Sequence, residues 1–288
     1  MRSIVDPIRL YLPQSVISEQ AMDEAVNIHF FHEEKYRVIV PFGRGVHVFM
    51  SHGIADKGWR DGPSMSPFDY VCVSGPLWEE KLVKGGISPE RILRIGFPKL
   101  DPLFQAEGQK QPRAAQRKTV LYAPTHARAY GRCSSFPAFE GLLSGFPQDL
   151  RVVSSPHPVH KENQMPTLYE LAQADVVISD CSSLLYEAWA LGKPVVFPDW
   201  LVKESIITRW PQSFAAQIYK DEIGYHAQNF NEIVEAVYQA LEHGLDEKSR
   251  TFIEAYFPTA YRGRSGQICA GLLENLAAQE GRSEKPRS

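Results

Sequence analysis

The sequence predicts an α/β protein made of two units with largely parallel sheets. Short β-branched or aromatic segments alternate with helical patterns along the chain, as in domains built from strand–helix–strand repeats. Two of the segments, Val176–Ile178 and Pro194–Phe197, are almost continuously apolar, which is typical of strands buried on both faces. A polar stretch from Gln105 to Lys118 divides the alternating pattern into two parts and is predicted to be a linker.

The predicted strands are short segments rich in β-branched or aromatic residues. In chain order they are Tyr36–Pro41, Val46–Met50, Asp69–Val73, Thr119–Ala123, Leu150–Ser154, Asp175–Asp180 and Lys193–Asp199. Helical periodicity follows many of these strands and fills the end of the chain. The predicted helices are Gly75–Gly85, Phe136–Leu143, Thr167–Gln173, Ser182–Gly192, Phe230–His243, Glu247–Tyr256 and Gly266–Gln279.

The linker predicts a division of the 288 residues into two domains. Residues 1–110 form the first, residues 111–280 form the second, and residues 281–288 are a flexible polar tail. Units of about 100 and about 160 residues are ordinary domain sizes. Two similar α/β units are expected to face each other across a cleft, where small ligands usually bind.

Charge and hydropathy exclude several classes of function. The formal net charge is −3, so there is no global basic field that attracts nucleic acid. Charges and a proline interrupt the N-terminus, which therefore does not resemble a signal peptide. No segment approaches the roughly 20 apolar residues that span a bilayer. We therefore expect a soluble, cytoplasmic protein, peripheral to a membrane at most.

The sequence shows no recognisable metal-binding pattern. The four cysteines are scattered: Cys72, Cys133, Cys181 and Cys269. In a chain without an export signal, such cysteines are typical of reduced thiols, and zinc is not expected. One early group combines imidazoles and carboxylates: His29, His32, Glu33 and Glu34. It lacks the H-E-x-x-H spacing, so a half-exposed helix face is the favoured interpretation, with a metal site as the alternative.

The strongest local signal is the turn Asp180-Cys181-Ser182-Ser183. A buried strand ends at Asp180, a helix begins near Ser182, and that helix stops at Gly192. Unpaired N–H groups at a helix N-terminus favour anions, and the two serine hydroxyls add donors. Glu187 lies one turn further along on the side of Ser183 and is a candidate partner for a ribose. Plain helix capping uses the same groups, and this segment alone does not decide between the two.

Two histidines follow predicted strands, one in each unit. His52 precedes a glycine, and His157 stands between two prolines that fix the backbone. Strand ends are where α/β active sites lie, and histidine is the side chain best suited to take a proton near neutral pH. Lys57 and Arg60 follow His52 and are available for phosphate or an acidic substrate. Taken singly, each histidine is more simply a satisfied loop or core residue, but as a pair they predict one shared site.

Five stretches, in this order, resemble the CDP-glycerol glycerophosphotransferase family, the teichoic-acid primases and polymerases. They are Ser51-His52-Gly53-Ile54-Ala55-Asp56-Lys57, Gly96-Phe97-Pro98-Lys99-Leu100-Asp101, Val120-Leu121-Tyr122-Ala123-Pro124-Thr125, His157-Pro158 and Asp180-Cys181-Ser182-Ser183. The resemblance covers about residues 46 to 200 and extends more loosely to 270.

The resemblance implies a GT-B fold of two Rossmann-like domains with the active site between them, the first domain being short here. It implies transfer of a glycerol-phosphate unit from CDP-glycerol to an acceptor hydroxyl with release of CMP, without metal or cofactor. His52 is then the general base, and His157 stabilises the donor pyrophosphate. The other implied residues are Thr125, Ser182 and Ser183 for phosphate, Glu187 and Pro124 for the ribose or nucleotide, and Lys57 and Arg60 for acceptor or phosphate.

The sequence departs from the family pattern at Cys181, where the family has tyrosine, and at Ser155, where a basic residue often precedes the His-Pro pair. Another cytidine- or uridine-diphosphate donor therefore stays open. So do two rival functions, a UDP-sugar 2-epimerase and a non-catalytic nucleotide-binding protein of the same fold. The implied acceptor is a polyol phosphate or a lipid-linked saccharide. A surface for that acceptor or for the inner membrane face has these candidate residues: Trp59, Arg60, Trp78, Lys81 and Lys84.

Overall fold

A computed structural model describes most of the chain. The described residues are 6–8, 10, 26–29, 45–51, 53–57, 62–107, 117–160 and 166–283. They fold as two compact units. Unit 1 comprises the described residues of 1–54, 59–110 and 255–288, and unit 2 comprises those of 55–58 and 111–254.

Unit 1 is built on a sheet of four parallel strands in the order β1–β2–β3–β4. The strands are β1 (Val26–His29), β2 (Val46–Phe49), β3 (Tyr70–Val73) and β4 (Ile92–Arg94). β2 and β3 confirm two predicted strands, whereas β1 and β4 are additional. The strand predicted over Tyr36–Pro41 lies outside the described residues. His29 ends β1, so the helix face predicted there is wrong for this residue, and residues 32–34 are not described.

The helices are distributed between and after the strands. They are α1 (Gly62–Met65), α2 (Pro76–Lys84), α3 (Asp101–Glu107), α4 (Ala127–Tyr130), α5 (Thr167–Gln173), α6 (Ser183–Ala190), α7 (Asp199–Arg209), α8 (Phe214–Lys220), α9 (Phe230–His243), α10 (Glu247–Tyr256) and α11 (Ser265–Ser283). Short 3₁₀ turns occupy Pro89–Arg91, Pro98–Leu100, Gly131–Cys133, Glu140–Gly145 and Thr259–Tyr261. Within the described ranges, no helix is both long and apolar enough to cross a bilayer.

The end of the chain belongs to unit 1, which corrects the domain division predicted from the sequence. Asp101 is buried, and its two carboxylate oxygens accept the backbone N–H groups of Ser265 (3.2 Å) and Gly266 (2.6 Å) at the start of α11. Ser74 also donates its hydroxyl to the carbonyl of Tyr256 (2.8 Å). These bonds satisfy orphan N–H groups of a helix terminus and attach α11 to unit 1.

Three further sequence expectations fail in unit 1. α11 continues to Ser283, so the first residues of the predicted tail are helical, and residues 284–288 lie outside the described part. Trp78 is 2% exposed and packs against Tyr256 with ring centroids 6.1 Å apart. A buried indole cannot contact a membrane surface, so Trp78 is removed from the predicted surface. Gln105 also belongs to α3, and the predicted linker therefore begins later.

Unit 2 is built on five parallel strands in the order β6–β5–β7–β8–β9. The strands are β5 (Lys118–Tyr122), β6 (Leu150–Ser154), β7 (Val176–Ile178), β8 (Val195–Pro198) and β9 (Tyr225–Ala227). β7 and β8 are buried at every position, as the apolar patterns predict. Predicted strands correspond to β5 through β8, whereas β9, α7 and α8 are additional.

The helix predicted over Phe136–Leu143 is wrong. The segment instead makes turns that lead into the 3₁₀ turn Glu140–Gly145. Ser135, the residue before this segment, is held by a long-range contact, because its N–H donates to the Asp180 carboxylate (2.9 Å). Phe139 is fully buried against Tyr122, with ring centroids 4.9 Å apart. Tertiary bonding and packing therefore override the local helical pattern.

Gly96, which joins β4 to the turn at Pro98–Leu100, has a φ of +77°. A Cβ at this position meets the Ser265 hydroxyl at 2.3 Å and the Cβ of Tyr261 at 2.6 Å. The structure therefore requires glycine at position 96, because the backbone angle and the limited space both exclude a side chain.

We expect Gly96→Ala to lower the free energy of unfolding by about 3 kcal/mol, the sum of a left-handed backbone penalty and overpacking. Gly86→Ala is the matched control, because its φ is +92° but nothing lies within 4 Å of the added Cβ. That control should lose only about 1 kcal/mol. Urea denaturation followed by circular dichroism measures both losses, and equal losses would show that the close packing at Gly96 is unimportant.

Candidate functional site

The sequence motifs of unit 2 meet at one edge of its sheet. β6, β5 and β7 are neighbours and run parallel, so their carboxyl ends lie side by side. The segments that follow them are residues 123–126, 155–157 and 179–183. Ligands of open α/β sheets bind at this edge, and the fold therefore brings Thr125, His157 and Ser183 to the same region of unit 2.

Asp180 is the buried centre of this region and has no exposed surface. One carboxylate oxygen accepts the N–H of Thr125 (2.8 Å), and the other accepts the N–H (2.9 Å) and hydroxyl (3.0 Å) of Ser135. Burial raises the pKa of the Asp180 carboxyl, while the bonds from Ser135 and Thr125 and the charge of Lys57 oppose that rise. The carboxylate thus links the loop after β5 to the turn after β7.

Cys181 points into the protein and not into the site. Its thiol is fully buried and donates to the carbonyl of Cys133 (3.3 Å). Burial raises the pKa of this thiol far above its usual range, so it stays neutral and unreactive. At the position where the family has tyrosine, this chain therefore has a small side chain in the interior.

Ser182 and Ser183 start α6, the helix that follows β7. Ser182 is the N-cap, and its hydroxyl oxygen accepts the N–H of Leu184 (3.4 Å). The hydroxyl oxygen of Ser183 accepts the N–H of Ala55 (3.3 Å). The capping interpretation is therefore confirmed for Ser182. Because a hydroxyl that accepts a bond still has a proton to donate, phosphate binding by both serines stays a prediction.

The two residues predicted for the ribose or nucleotide are both buried. Glu187 lies within α6, one turn after Ser183, and has no exposed surface. Pro124 follows β5 and is buried beside Thr125. Their contact with a nucleotide stays a prediction.

Residues 55–57 are bound to unit 2 by three consecutive contacts. Besides the Ala55 bond, the buried carboxylate of Asp56 accepts the N–H of Phe214 at the start of α8 (2.8 Å). The Lys57 ammonium donates to the hydroxyl of Thr125 (2.5 Å) and lies 3.9 Å from the ring centroid of Tyr130. The predicted residues Lys57, Thr125 and Ser183 therefore lie together, whereas His52 and Arg60 lie outside the described residues.

His157 is exposed and is one of three neighbouring imidazoles. Its ring centroid lies 4.6 Å from that of His126, which lies 5.3 Å from that of His160. His160 stacks on Phe136 at 4.8 Å. Burial, followed by the charges of His126 and Arg128, lowers the pKa of His160. A neutral His160 next to His126 reduces charge repulsion within the group.

Backbone bonds fix the orientation of all three rings. A ring nitrogen accepts the N–H of a nearby residue in each case: Nδ1 of His126 from Ala129 (3.0 Å), Nδ1 of His157 from Val159 (3.3 Å) and Nε2 of His160 from Ala127 (3.0 Å). In the neutral rings the proton is then on the opposite nitrogen. The sequence analysis did not select His126 or His160, although one directly follows Thr125 and the other lies three residues after His157.

The arrangement is suited to an anion. Hydroxyls of Thr125 and Ser183, the Lys57 ammonium, imidazole N–H groups and the N-terminus of α6 supply donors and positive charge. The described part of the chain has no group of three or more His, Cys, Asp or Glu side chains that could hold a metal ion. A phosphate-containing ligand is the chemical class that these groups recognise best.

Unit 1 carries a cavity at the carboxyl ends of its strands. It lies beside β2, β3 and β4 and contains both hydroxyls and apolar side chains. The lining residues are Met50, Ser51, Ile54, Cys72, Val73, Ser74, Ile95, Gly96, Phe97 and Pro98. Residues of two sequence motifs, the one that begins at Ser51 and the one that begins at Gly96, therefore line this cavity.

We expect Asp180→Asn to lower the free energy of unfolding by about 2 kcal/mol or more, because an amide cannot accept at both sides and its NH₂ faces a donor. Thermal and urea denaturation measure this loss. Asp149→Asn is the control, since Asp149 is an exposed acid whose carboxylate accepts a hydrogen bond from the Tyr238 hydroxyl, and it should change stability by less than about 0.5 kcal/mol. Similar small changes in both variants would contradict the proposed linking role of Asp180.

Comparison with known proteins identifies one family over most of the chain. The model of the family described as CDP-glycerol:poly(glycerophosphate) glycerophosphotransferase matches residues 64–269. The teichoic acid glycerol-phosphate primase of Bacillus subtilis (strain 168) is 28% identical over 152 residues, which are 46% of this chain and 40% of that protein. The chain therefore spans less than half of the length of that relative.

Solved structures show the same fold at low sequence identity. The wall teichoic acid polymerase TagF superposes with a TM-score of 0.58 and 15% identity, over 91% of this chain and 74% of that one. A UDP-N-acetylglucosamine 2-epimerase superposes with a TM-score of 0.50 and 14% identity, over 99% and 79%. Both likenesses show a GT-B-like fold with two Rossmann-like units, as predicted. With a family model matching most of its length, the chain belongs to the CDP-glycerol:poly(glycerophosphate) glycerophosphotransferase family.

Proposed function

We propose that this protein transfers a glycerol-phosphate unit, or a related polyol phosphate, from a CDP-activated donor to an acceptor hydroxyl in the synthesis of a cell-surface polymer. The observation that carries the proposal is the cluster of Lys57, Thr125, Ser183 and His157 at one edge of a unit-2 sheet. This is an anion site in a chain of a glycerophosphotransferase family. The donor is held by its diphosphate, and CMP is the leaving group.

The reaction divides into bond making and bond breaking. The acceptor hydroxyl oxygen attacks the phosphorus that carries the glycerol, and the bond from that phosphorus to the bridging oxygen breaks. CMP takes the bridging oxygen with its electrons, and His52 takes the proton of the acceptor hydroxyl. Such transfers depend mostly on positioning and charge stabilisation.

Each group of unit 2 has a role in this scheme. Ser182, Ser183 and Thr125 bind phosphate oxygens, and Lys57 neutralises their charge. His157 donates a proton or hydrogen bond from its ring to the leaving phosphate. Glu187 and Pro124, which are both buried, are the proposed partners of the ribose or nucleotide.

The acceptor is proposed to be a polyol phosphate or a lipid-linked saccharide. The unit-1 cavity beside Ser51 and Gly96 is the candidate place for its hydroxyl, because it lies at the carboxyl ends of β2, β3 and β4. Activity in the cytoplasm, with peripheral contact at the inner membrane face, is part of the same proposal. With Trp78 removed, the candidates for that contact are Trp59, Arg60, Lys81 and Lys84, of which Trp59 and Arg60 lie outside the described residues.

A second candidate function is turnover of a UDP-sugar without an acceptor. It is favoured by the structural likeness to the 2-epimerase, which covers almost the whole chain. The two functions separate in one assay, since the transferase needs an acceptor and releases CMP, whereas the alternative consumes UDP-N-acetylglucosamine alone. Binding of nucleotides without any turnover is the result expected of a non-catalytic member.

Purified protein should release CMP from CDP-glycerol when a glycerol-phosphate acceptor is present. His52→Ala should lower kcat by about 100-fold or more, the usual loss on removing a general base. Chromatography of the released nucleotide measures the rate, and circular dichroism checks that the variant is folded. Unchanged kcat in folded His52→Ala would remove this residue from the base role.

His157→Ala should also lower kcat by about 100-fold, because the leaving phosphate loses a hydrogen-bond or proton donor. His243→Ala is the matched control. That histidine is exposed at the end of α9, and its Nε2 lies 3.9 Å from the Glu242 carboxylate. A fall that is confined to KM in His157→Ala would instead assign this residue to ground-state binding.

A further inference from the structure

The ring of Tyr130 lies close to two cations from different parts of unit 2. The Lys57 ammonium lies 3.9 Å from its ring centroid, and the guanidinium carbon of Arg209 lies 6.0 Å from it. Arg209 also donates to the Tyr130 carbonyl (2.9 Å) and lies 5.0 Å from the ring centroid of Trp210. Trp210 in turn packs edge-on against Tyr130 at 5.6 Å. The tyrosine thus holds both cations in defined positions.

These residues lie beside the predicted phosphate site. Tyr130 ends α4, in the loop that follows β5 and begins with Thr125. Arg209 ends α7, the helix that follows β8. Lys57 is bonded to the hydroxyl of Thr125. Lys57 therefore approaches this loop from the segment at residues 55–57, and Arg209 approaches it from the end of α7.

Neither Lys57 nor Arg209 forms an ion pair within the described residues. The charge of Lys57 does act on the buried Asp180 carboxyl, but that carboxyl also accepts hydrogen bonds from Thr125 and Ser135. The acids of α7 are engaged elsewhere: Asp199 pairs with Lys203 (3.0 Å) and His226 (2.7 Å), and Glu204 bonds the hydroxyl of Thr208. A site with two fixed positive charges, neither of them in an ion pair within that part of the chain, favours an anionic ligand.

The positive charges of Lys57 and Arg209 both act close to the Asp180 turn. Burial raises the pKa of the Cys133 thiol, and the charges of Arg209 and Lys57 each act to lower it. The carbonyl oxygen of Cys133 in turn accepts a hydrogen bond from the Cys181 thiol. Positive potential from two separate side chains therefore reaches the turn that leads into α6.

We propose that Arg209 is a further donor-binding residue, which together with Lys57 binds the diphosphate of a nucleoside-diphosphate donor, and that Tyr130 positions both cations. The proposal rests on the proposed function and adds the recognition of the second phosphate. A CDP donor carries about two negative charges, and CMP gains charge as it leaves. The planar guanidinium matches phosphate oxygens in a bidentate manner.

Calorimetric titration of the full-length protein with CDP, CMP and cytidine tests the proposal. Arg209→Gln should weaken CDP binding about tenfold or more, weaken CMP binding less, and leave cytidine binding within about twofold. Arg132→Gln is the matched control, because Arg132 is exposed in the same loop and contributes only general positive charge, which salt screens. It should change CDP binding by less than about twofold.

Tyr130 is tested with a pair of variants. Tyr130→Leu removes the ring and should weaken CDP binding about as much as Arg209→Gln, whereas Tyr130→Phe retains the ring and should restore affinity to within about twofold. Equal weakening by Phe and Leu would overturn the positioning role. Equal weakening by Arg209→Gln and Arg132→Gln, a parallel loss of cytidine binding, or absence of CDP binding to the wild-type protein would overturn the donor-binding role.

The assay of CMP release separates this inference from the function on which it rests. If wild-type protein turns over CDP-glycerol and Arg209→Gln has the same kcat/KM, the transferase function stands and the inference falls. If CDP binding depends on Arg209 but no acceptor allows CMP release, the inference stands and the transferase function falls.

Discussion

The carboxylate of Asp180 has no exposed surface, and each of its oxygens accepts a backbone N–H from a different segment. A buried carboxylate is costly unless donors satisfy it, so the loop after β5 and the segment at Ser135 cannot move away independently. The same turn supplies the N-cap of α6 through Ser182. One interior carboxylate thus sets the positions of Thr125 and of the helix N-terminus, and the rest of the candidate site is assembled around them.

Residues 55–57 add to this frame the groups that the strands of unit 2 do not supply. Ala55 and Asp56 fix the backbone through Ser183 and Phe214, so the Lys57 side chain has a short, constrained path to Thr125. A lysine that is already ordered loses less conformational entropy when it binds phosphate than a flexible one does. The two backbone contacts therefore help to order the Lys57 ammonium, and its loss of conformational entropy occurs when the protein folds.

Much of the frame was predictable because it depends on local patterns. β6 has the bounds expected from its β-branched residues, and α9 and α10 have those expected from their helical periodicity. Strands β4 and β9 have only three residues each, and unlike the equally short β7 they are not continuously apolar, so no pattern marks them. Asp180 was singled out from the sequence as the end of a strand, but its bond to Ser135 spans 45 residues, and no local pattern encodes such a contact.

The candidate site shows the same division between local and long-range information. Thr125, Ser183 and His157 follow strands and are found by the rule that parallel strands present their carboxyl ends together. His126, Tyr130 and Arg209 carry no motif, and their importance appears only when ring stacking and cation–ring distances are known.

Cys181 illustrates how an apparent departure from a family pattern is resolved by geometry. Its thiol is directed to the Cys133 carbonyl and stays neutral in the interior, so the exchange of tyrosine for cysteine concerns packing beneath the site. Groups that face an anion come instead from Lys57, Thr125 and the imidazoles. In the proposed function, donor recognition therefore depends on the charge placed around Tyr130, and less on the residue that distinguishes this chain from its relatives at the turn itself.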